Sequence, residues 1–114
     1  MTTVKKKTLE KLGLLEEIEA YLKVLKKNKI KLQKVILFGS FAKNKQKSYS
    51  DIDLAVVSED FEKDVIEAMM TLSKLTIGVA DRIEPIALTP KEMKKKYHPL
   101  IGEIKKYGKV IYWA

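Results

Sequence analysis

Val35, Ile36, Leu37 and Phe38 form an unbroken apolar run that stops abruptly at Gly39-Ser40. A second run follows in Ile52, Leu54, Ala55, Val56 and Val57, with Asp51 and Asp53 at its start. Short apolar runs with no polar side read as strands covered on both faces of a sheet. Such strands need helices around them, and the rest of the chain supplies amphipathic segments of the right period.

Leu9, Leu12, Leu15, Ile18, Leu22 and Leu25 recur at steps of three and four, which predicts one helix from about Thr8 to Lys27, with Thr8 as its cap. Gly13 inside it weakens the helix by about 1 kcal/mol relative to alanine, so burial of the stripe must carry it. Asn28 and Lys29 provide a stop, and Ile30 and Leu32 then alternate with lysines into the first strand. Residues 43–50 are polar and lysine-rich and read as a loop after a short helical turn. Phe61, Val65, Ile66, Met69, Met70 and Leu72 suit a helix from about Asp60 to Lys74, capped by Ser58 or Asp60, with both methionines in its core. A third strand runs from Arg82 to Leu88. Thr89-Pro90-Lys91-Glu92 combines a capping hydroxyl, proline at the first helical position and a glutamate three residues on, which predicts a short helix. Pro99 interrupts the pattern, a last helix covers about Leu100 to Tyr107, Gly108 closes it, and Val110 to Trp113 form a final strand. The resulting expectation is one α/β (α+β) domain over residues 1–114, a small mixed sheet flanked by helices.

Composition narrows the chemistry. A chain of 114 residues can bury a core without cross-links, and its lack of cysteine excludes disulfides, thiolate catalysis and cysteine-bound zinc. That agrees with a reducing cytoplasm. Lys5, Lys6 and Lys7 are followed by a segment that Glu10, Lys11, Glu16 and Glu17 interrupt, unlike a secretory leader, and no stretch is apolar enough to span a bilayer. The net charge of +8 favours polyanionic partners such as triphosphates or RNA. Arg82 is the only arginine, so the lysine-dominated surface lacks the planar forks of base-edge recognition, and a nucleic-acid partner is disfavoured.

Three features coincide as a candidate site: Gly39-Ser40 after a buried strand, Asp51-Ile52-Asp53 opening the next, and Glu84 within the third. Alternation sends Asp51 and Asp53 to one face, where two carboxylates would repel unless they shared a cation. Magnesium suits hard oxygen ligands and keeps part of its coordination sphere for water and phosphate. Gly39 lets the backbone approach a ligand, the Ser40 hydroxyl and nearby amides can donate to phosphate oxygens, and Lys43, Lys45 and Lys47 can add charge. Phosphate donors facing carboxylates suit two-metal phosphoryl or nucleotidyl transfer. Asp81 competes with Glu84 as third acid; three residues apart on an extended segment, the two face opposite ways. His98 reads as a turn residue, and Tyr97, Tyr107, Tyr112 and Trp113 as core packing or a partner interface.

Gly39-Ser40-Phe41-Ala42-Lys43-Asn44, followed by Ser50-Asp51-Ile52-Asp53-Leu54-Ala55-Val56, resembles the pattern of the minimal nucleotidyltransferases of the polymerase-beta superfamily. Arg82-Ile83-Glu84-Pro85-Ile86 and the segments Pro99-Leu100-Ile101 and Ile111-Tyr112 are also similar to family members. The resemblance implies catalytic Asp51, Asp53 and Glu84 holding two magnesium ions, with Gly39, Ser40, Lys43, Asp51 and Asp53 binding the nucleotide. It further implies transfer of AMP from ATP to a hydroxyl. Stand-alone members of the family act as antitoxins that adenylylate a tyrosine of a HEPN-type toxin. Lys43 stands where the pattern often has arginine, Asn44 where it often has glycine, and Glu84 where it often has aspartate. The alternative is a catalytically weak or inactive binding module of the same fold that neutralises a partner protein by occlusion. Base preference, acceptor and oligomeric state are not written in the sequence.

Overall fold

The computed structural model describes residues 3–47 and 49–114. Five strands form one mixed sheet: β1 (Thr3–Val4), β2 (Lys34–Phe38), β3 (Ile52–Val57), β4 (Ile83–Leu88) and β5 (Lys109–Trp113), in the order β1-β5-β2-β3-β4. β2 runs antiparallel to both β3 and β5, β1 is antiparallel to β5, and β4 is parallel to β3. Four α-helices accompany the sheet: α1 (Lys6–Leu12), α2 (Leu15–Lys27), α3 (Val65–Lys74) and α4 (Pro99–Tyr107).

The buried runs are covered on both faces. Leu37, Leu54 and Val56 pack with Leu9, Ile18, Leu25 and Leu72 on the side of α1, α2 and α3. On the other side, Ile36, Phe38, Ala55 and Val57 meet Ile101 and Ile104 of α4. Successive strand residues thus feed different cores, which is why β2 and β3 carry no polar face. β4 is the free edge beside β3, and its Pro85 is tolerated there because an edge strand has N–H groups that no neighbour uses. The next outward amide, that of Ala87, donates to Met69 Sδ at 2.9 Å. Among the described residues no helix is long and apolar enough to cross a membrane.

Several boundaries differ from the sequence reading. The expected helix over 8–27 is two, because Gly13 takes a left-handed φ of 72° and closes α1 before α2 begins. Thr8 lies inside α1 instead of capping it. The segment after Ser58 first makes a 3-10 turn (Glu59–Glu62), capped by Ser58 Oγ, and α3 then starts on Asp64, whose carboxylate accepts from the Glu67 amide at 3.0 Å. Met69 packs against the core, but Met70 points outward and is 68% exposed. The Thr89–Glu92 capping box forms reciprocally, Glu92 N–H to Thr89 Oγ1 and Thr89 N–H to Glu92 Oε1, yet only one 3-10 turn (Glu92–Lys94) follows. Lys95 is already extended, and the chain must stay out of the helical region ahead of Pro99. Pro99 begins α4 instead of interrupting a helix, with His98 Nδ1 accepting from the Ile101 amide as its cap. The strand β1 was not expected; two residues are too few for a period.

Candidate active site

Phe38 ends β2 and the chain turns at once through a 3-10 turn, Gly39–Phe41. Gly39 has φ 73°, a conformation that L side chains resist. A Cβ placed on it would lie 2.1 Å from Asp53 Oδ2, so the glycine is also what lets the turn touch that carboxylate. The Lys43 amide donates to the Gly39 and Ser40 carbonyls, both at 3.2 Å, and the Lys45 amide donates to Ser40 O at 2.9 Å. Asn44 supports the turn in the left-handed region, φ 57°, which asparagine tolerates better than most residues.

Strand register assembles the acids. Phe38 pairs with Asp53 across β2 and β3, and Asp53 pairs with Glu84 across β3 and β4. Asp53 and Glu84 therefore stand side by side on the face that α4 covers, just beyond its packed core. Asp51 lies two residues before Asp53, close enough for its charge to act on Glu84. Asp51 and Glu84 are exposed and Asp53 is half-buried, so the cluster lies open to solvent. Asp81 is elsewhere: its Oδ1 accepts from the Gly78 amide at 3.0 Å in the turn that precedes β4. A depression of about 260 Å³ between Ile30, Phe61 and Ala68 belongs to the opposite face.

The electrostatics follow from this crowding. Desolvation, then the charge of Asp51, then that of Glu103, holds the Asp53 carboxyl above its ordinary range. The Glu84 carboxyl is raised chiefly by the charge of Asp51, with desolvation and the charge of Asp53 adding to it. Neighbouring anions that resist ionisation are a set that a divalent cation would relieve, and the donors are all hard oxygens. Among the described residues, no three His, Cys, Asp or Glu side chains close on a common point as in a formed metal cage. The residues fit magnesium by donor type and by charge.

Lys43 extends from the turn toward α4, where its Nζ forms an ion pair with Glu103 Oε1 and sits 4.9 Å from the centre of the Tyr107 ring. The Glu103 bond and its charge raise the Lys43 pKa, against a smaller opposing effect of desolvation. Glu103 was not singled out by the sequence, and its one local signal is a place four residues before Tyr107 on the same helical face. Lys45 and Lys47 are exposed. Arg82 is drawn to Glu17, its Nε 3.3 Å from Oε2, and lies over the Phe41 ring at 5.9 Å. Of the aromatic residues, Tyr112 is buried core, Trp113 is half-buried with Lys5 5.5 Å above its ring, and Tyr97 is 94% exposed.

A mixed sheet with a glycine-serine turn beside carboxylates on adjoining strands defines a nucleotidyltransferase fold. Residues 16–114 match the family described as polymerase beta, nucleotidyltransferase. The chain belongs to that family and, within it, to the minimal nucleotidyltransferases. It is 34% identical over 83 residues to a protein of Methanocaldococcus jannaschii named as a candidate protein adenylyltransferase. That match takes in 68% of this chain and 56% of the relative, so the chain spans little more than half of the curated protein it matches. A chain of a toxin–antitoxin crystal structure with AMP-PNP superimposes with a TM-score of 0.61 at 26% identity, covering 84% of this chain and 73% of that one. A chain from a tri-AMPylated Shewanella oneidensis HEPN toxin in complex with its MNT antitoxin gives a TM-score of 0.56 at 28% identity, over 88% of this chain and 71% of that one.

Proposed function

We propose that the chain is a magnesium-dependent nucleotidyltransferase that moves AMP from ATP to a hydroxyl, and that the acceptor is a tyrosine of a HEPN-type toxin, to which the chain acts as antitoxin. The observation that carries the reading is the contact of Gly39 with Asp53, which brings a phosphate-type turn against a carboxylate that stands in register with Glu84. The toxin assignment is supported by the complexes in which the similar solved chains occur.

In this reading the Gly39–Ser40 turn holds the outer phosphates through its amides and the Ser40 hydroxyl, with Lys43 adding charge. Asp51 and Asp53 would hold two ions, and Glu84 would complete the sphere of the one beside the acceptor. When bound, the ions supply neutralisation of the triphosphate and lower the pKa of the acceptor hydroxyl. By fixing the outer phosphates Ser40 would orient the α-phosphorus for in-line attack, while the carboxylates would act on it only through the ions that they hold. The acceptor oxygen forms the new bond to that phosphorus, the bond to the bridging oxygen breaks, and pyrophosphate leaves with its electron pair. Glu84 would be the group to receive the acceptor's proton.

Incubation of the chain with α-labelled ATP, magnesium and a cognate HEPN-type protein is expected to label that protein on tyrosine; an unlabelled partner opposes the reading. The Asp51→Asn, Asp53→Asn double variant separates transfer from occlusion. Loss of both labelling and neutralisation supports transfer, whereas full neutralisation by the double variant favours a binding module.

A further inference from the structure

We propose that Glu103 is a positioning residue for the nucleotide: it fixes the Lys43 ammonium against α4, on a lysine whose backbone is anchored to the Gly39–Ser40 turn, so that the cation is already ordered when the triphosphate arrives. The inference rests on the nucleotidyltransferase reading and deepens it by adding a residue outside the strand motif.

Lys43 follows the turn by so few residues that its amide still bonds the Gly39 and Ser40 carbonyls. Its backbone is thereby fixed, but its four-carbon stem could sweep a wide arc of solvent. Two groups from α4 restrict it. Glu103 takes Nζ in an ion pair across 60 residues of sequence, and Tyr107, one helical turn further on, presents its ring 4.9 Å away. Carboxylate and ring occupy one face of α4 and bracket the ammonium between them. Lys43 also leaves the same turn whose Gly39 abuts Asp53, so the pair lies beside the acidic cluster and not on a remote surface.

The pair is a poor candidate for holding the fold together. Both side chains are about a third exposed, 29% for Lys43 and 37% for Glu103, and such ion pairs stabilise proteins little. Ordering a long side chain before binding, by contrast, directly lowers the entropy that binding must overcome. An opposing effect must be weighed, since an unpaired Glu103 would repel a triphosphate. Paired with Lys43 its charge is offset, and at physiological salt the residual repulsion between exposed groups is screened.

The test is ATP binding in the presence of magnesium, by titration calorimetry on the full chain, together with KM and kcat for transfer. Glu103→Ala is expected to weaken ATP binding about three- to tenfold, the cost of ordering one long side chain, with the loss falling on KM for ATP and not on kcat. Its melting temperature should stay near that of wild type. In a Lys43→Ala background the same substitution should cost no further affinity, because the residue that it positions is gone and removal of an unpaired carboxylate can only favour an anion. Unchanged or tighter binding by Glu103→Ala, or an equal loss in the Lys43→Ala background, overturns the inference. Should Glu103→Ala fail to fold, Glu103→Gln, which keeps the shape and removes the charge, carries the same expectations. Failure of the wild-type chain to bind ATP at all would overturn the nucleotide reading, and this inference with it.

Discussion

Gly39 and Gly13 share a left-handed backbone, φ 73° and 72°, but differ in what surrounds them. A Cβ at Gly13 meets nothing within 4 Å, whereas one at Gly39 would strike Asp53 Oδ2. Gly13→Ala should therefore cost only the conformational penalty of about 1–2 kcal/mol and leave ATP binding intact. Gly39→Ala adds to that penalty the displacement of a candidate metal ligand, so it should lower ATP affinity at least about tenfold, since misplacing a ligand by a fraction of an ångström is costly. Thermal melts and ATP titrations of the two variants check the contrast; equal binding by both would mean that the turn does not depend on its contact with Asp53. Most of the site is legible at this scale because it is local. Gly39-Ser40 and Asp51-Ile52-Asp53 are short words whose meaning needs only a strand on each side. Glu84 needed more, since its place beside Asp53 is a matter of strand register, and Asp81 was dismissed only once its bond to the Gly78 amide was seen. Glu103 was not legible, because nothing local links a helix residue to a lysine 60 positions earlier.

Elements show the same division between local signal and long-range cause. β2, β3 and α4 were readable because each buries one continuous run or stripe. The split between α1 and α2 was not, because the leucine spacing continues through Gly13 while the backbone does not. At Thr89 the capping signal was right and the helix was not: a cap starts a turn, but propagation needs favourable residues after it. One tie between elements lies beyond any pattern. Tyr21 on α2 is fully buried, burial pushes its phenol above the ordinary range, and its hydroxyl donates to Leu72 O at 2.8 Å. Leu72 belongs to the last turn of α3, whose carbonyls lack helical partners, so Tyr21 satisfies an acceptor that would otherwise be orphaned. Tyr21→Phe keeps the ring and strands that carbonyl. The expected loss is about 1–2 kcal/mol, or about 4–8 °C in melting temperature for a chain of this size. An unchanged melting temperature would show that α2 and α3 are joined by apolar packing alone.

Across the whole molecule, a chain of net charge +8 gathers Asp51, Asp53, Glu84 and Glu103 at one edge of its sheet. That arrangement has a thermodynamic consequence. Asp53 and Glu84 bind protons more tightly in the folded chain than carboxylates do in an unfolded one, the first chiefly through desolvation and the second chiefly through the charge of Asp51. Above the ordinary carboxylate range, near pH 4, the unfolded state has released protons that the folded state still holds. Raising the pH through the elevated values therefore drains stability from the fold, the opposite of what a salt-bridged carboxylate does. Magnesium should reverse the loss, because it binds the ionised cluster of the folded chain and not the dispersed carboxylates of the unfolded one. Other acidic residues also titrate, so the effect is best read as a difference between wild type and Asp53→Asn. Without magnesium, Asp53→Asn should be the more stable of the two at about pH 7, and this advantage should shrink as the pH falls to about 4 and below, where Asp53 becomes increasingly protonated in both states. With millimolar magnesium at about pH 7 the wild type should gain in melting temperature and the variant should gain far less. Melts of both proteins at both pH values, with and without magnesium, decide the matter; a wild type that outlasts Asp53→Asn without the ion at neutral pH would mean that the carboxylates are stabilised by the fold and not held in readiness for a cation.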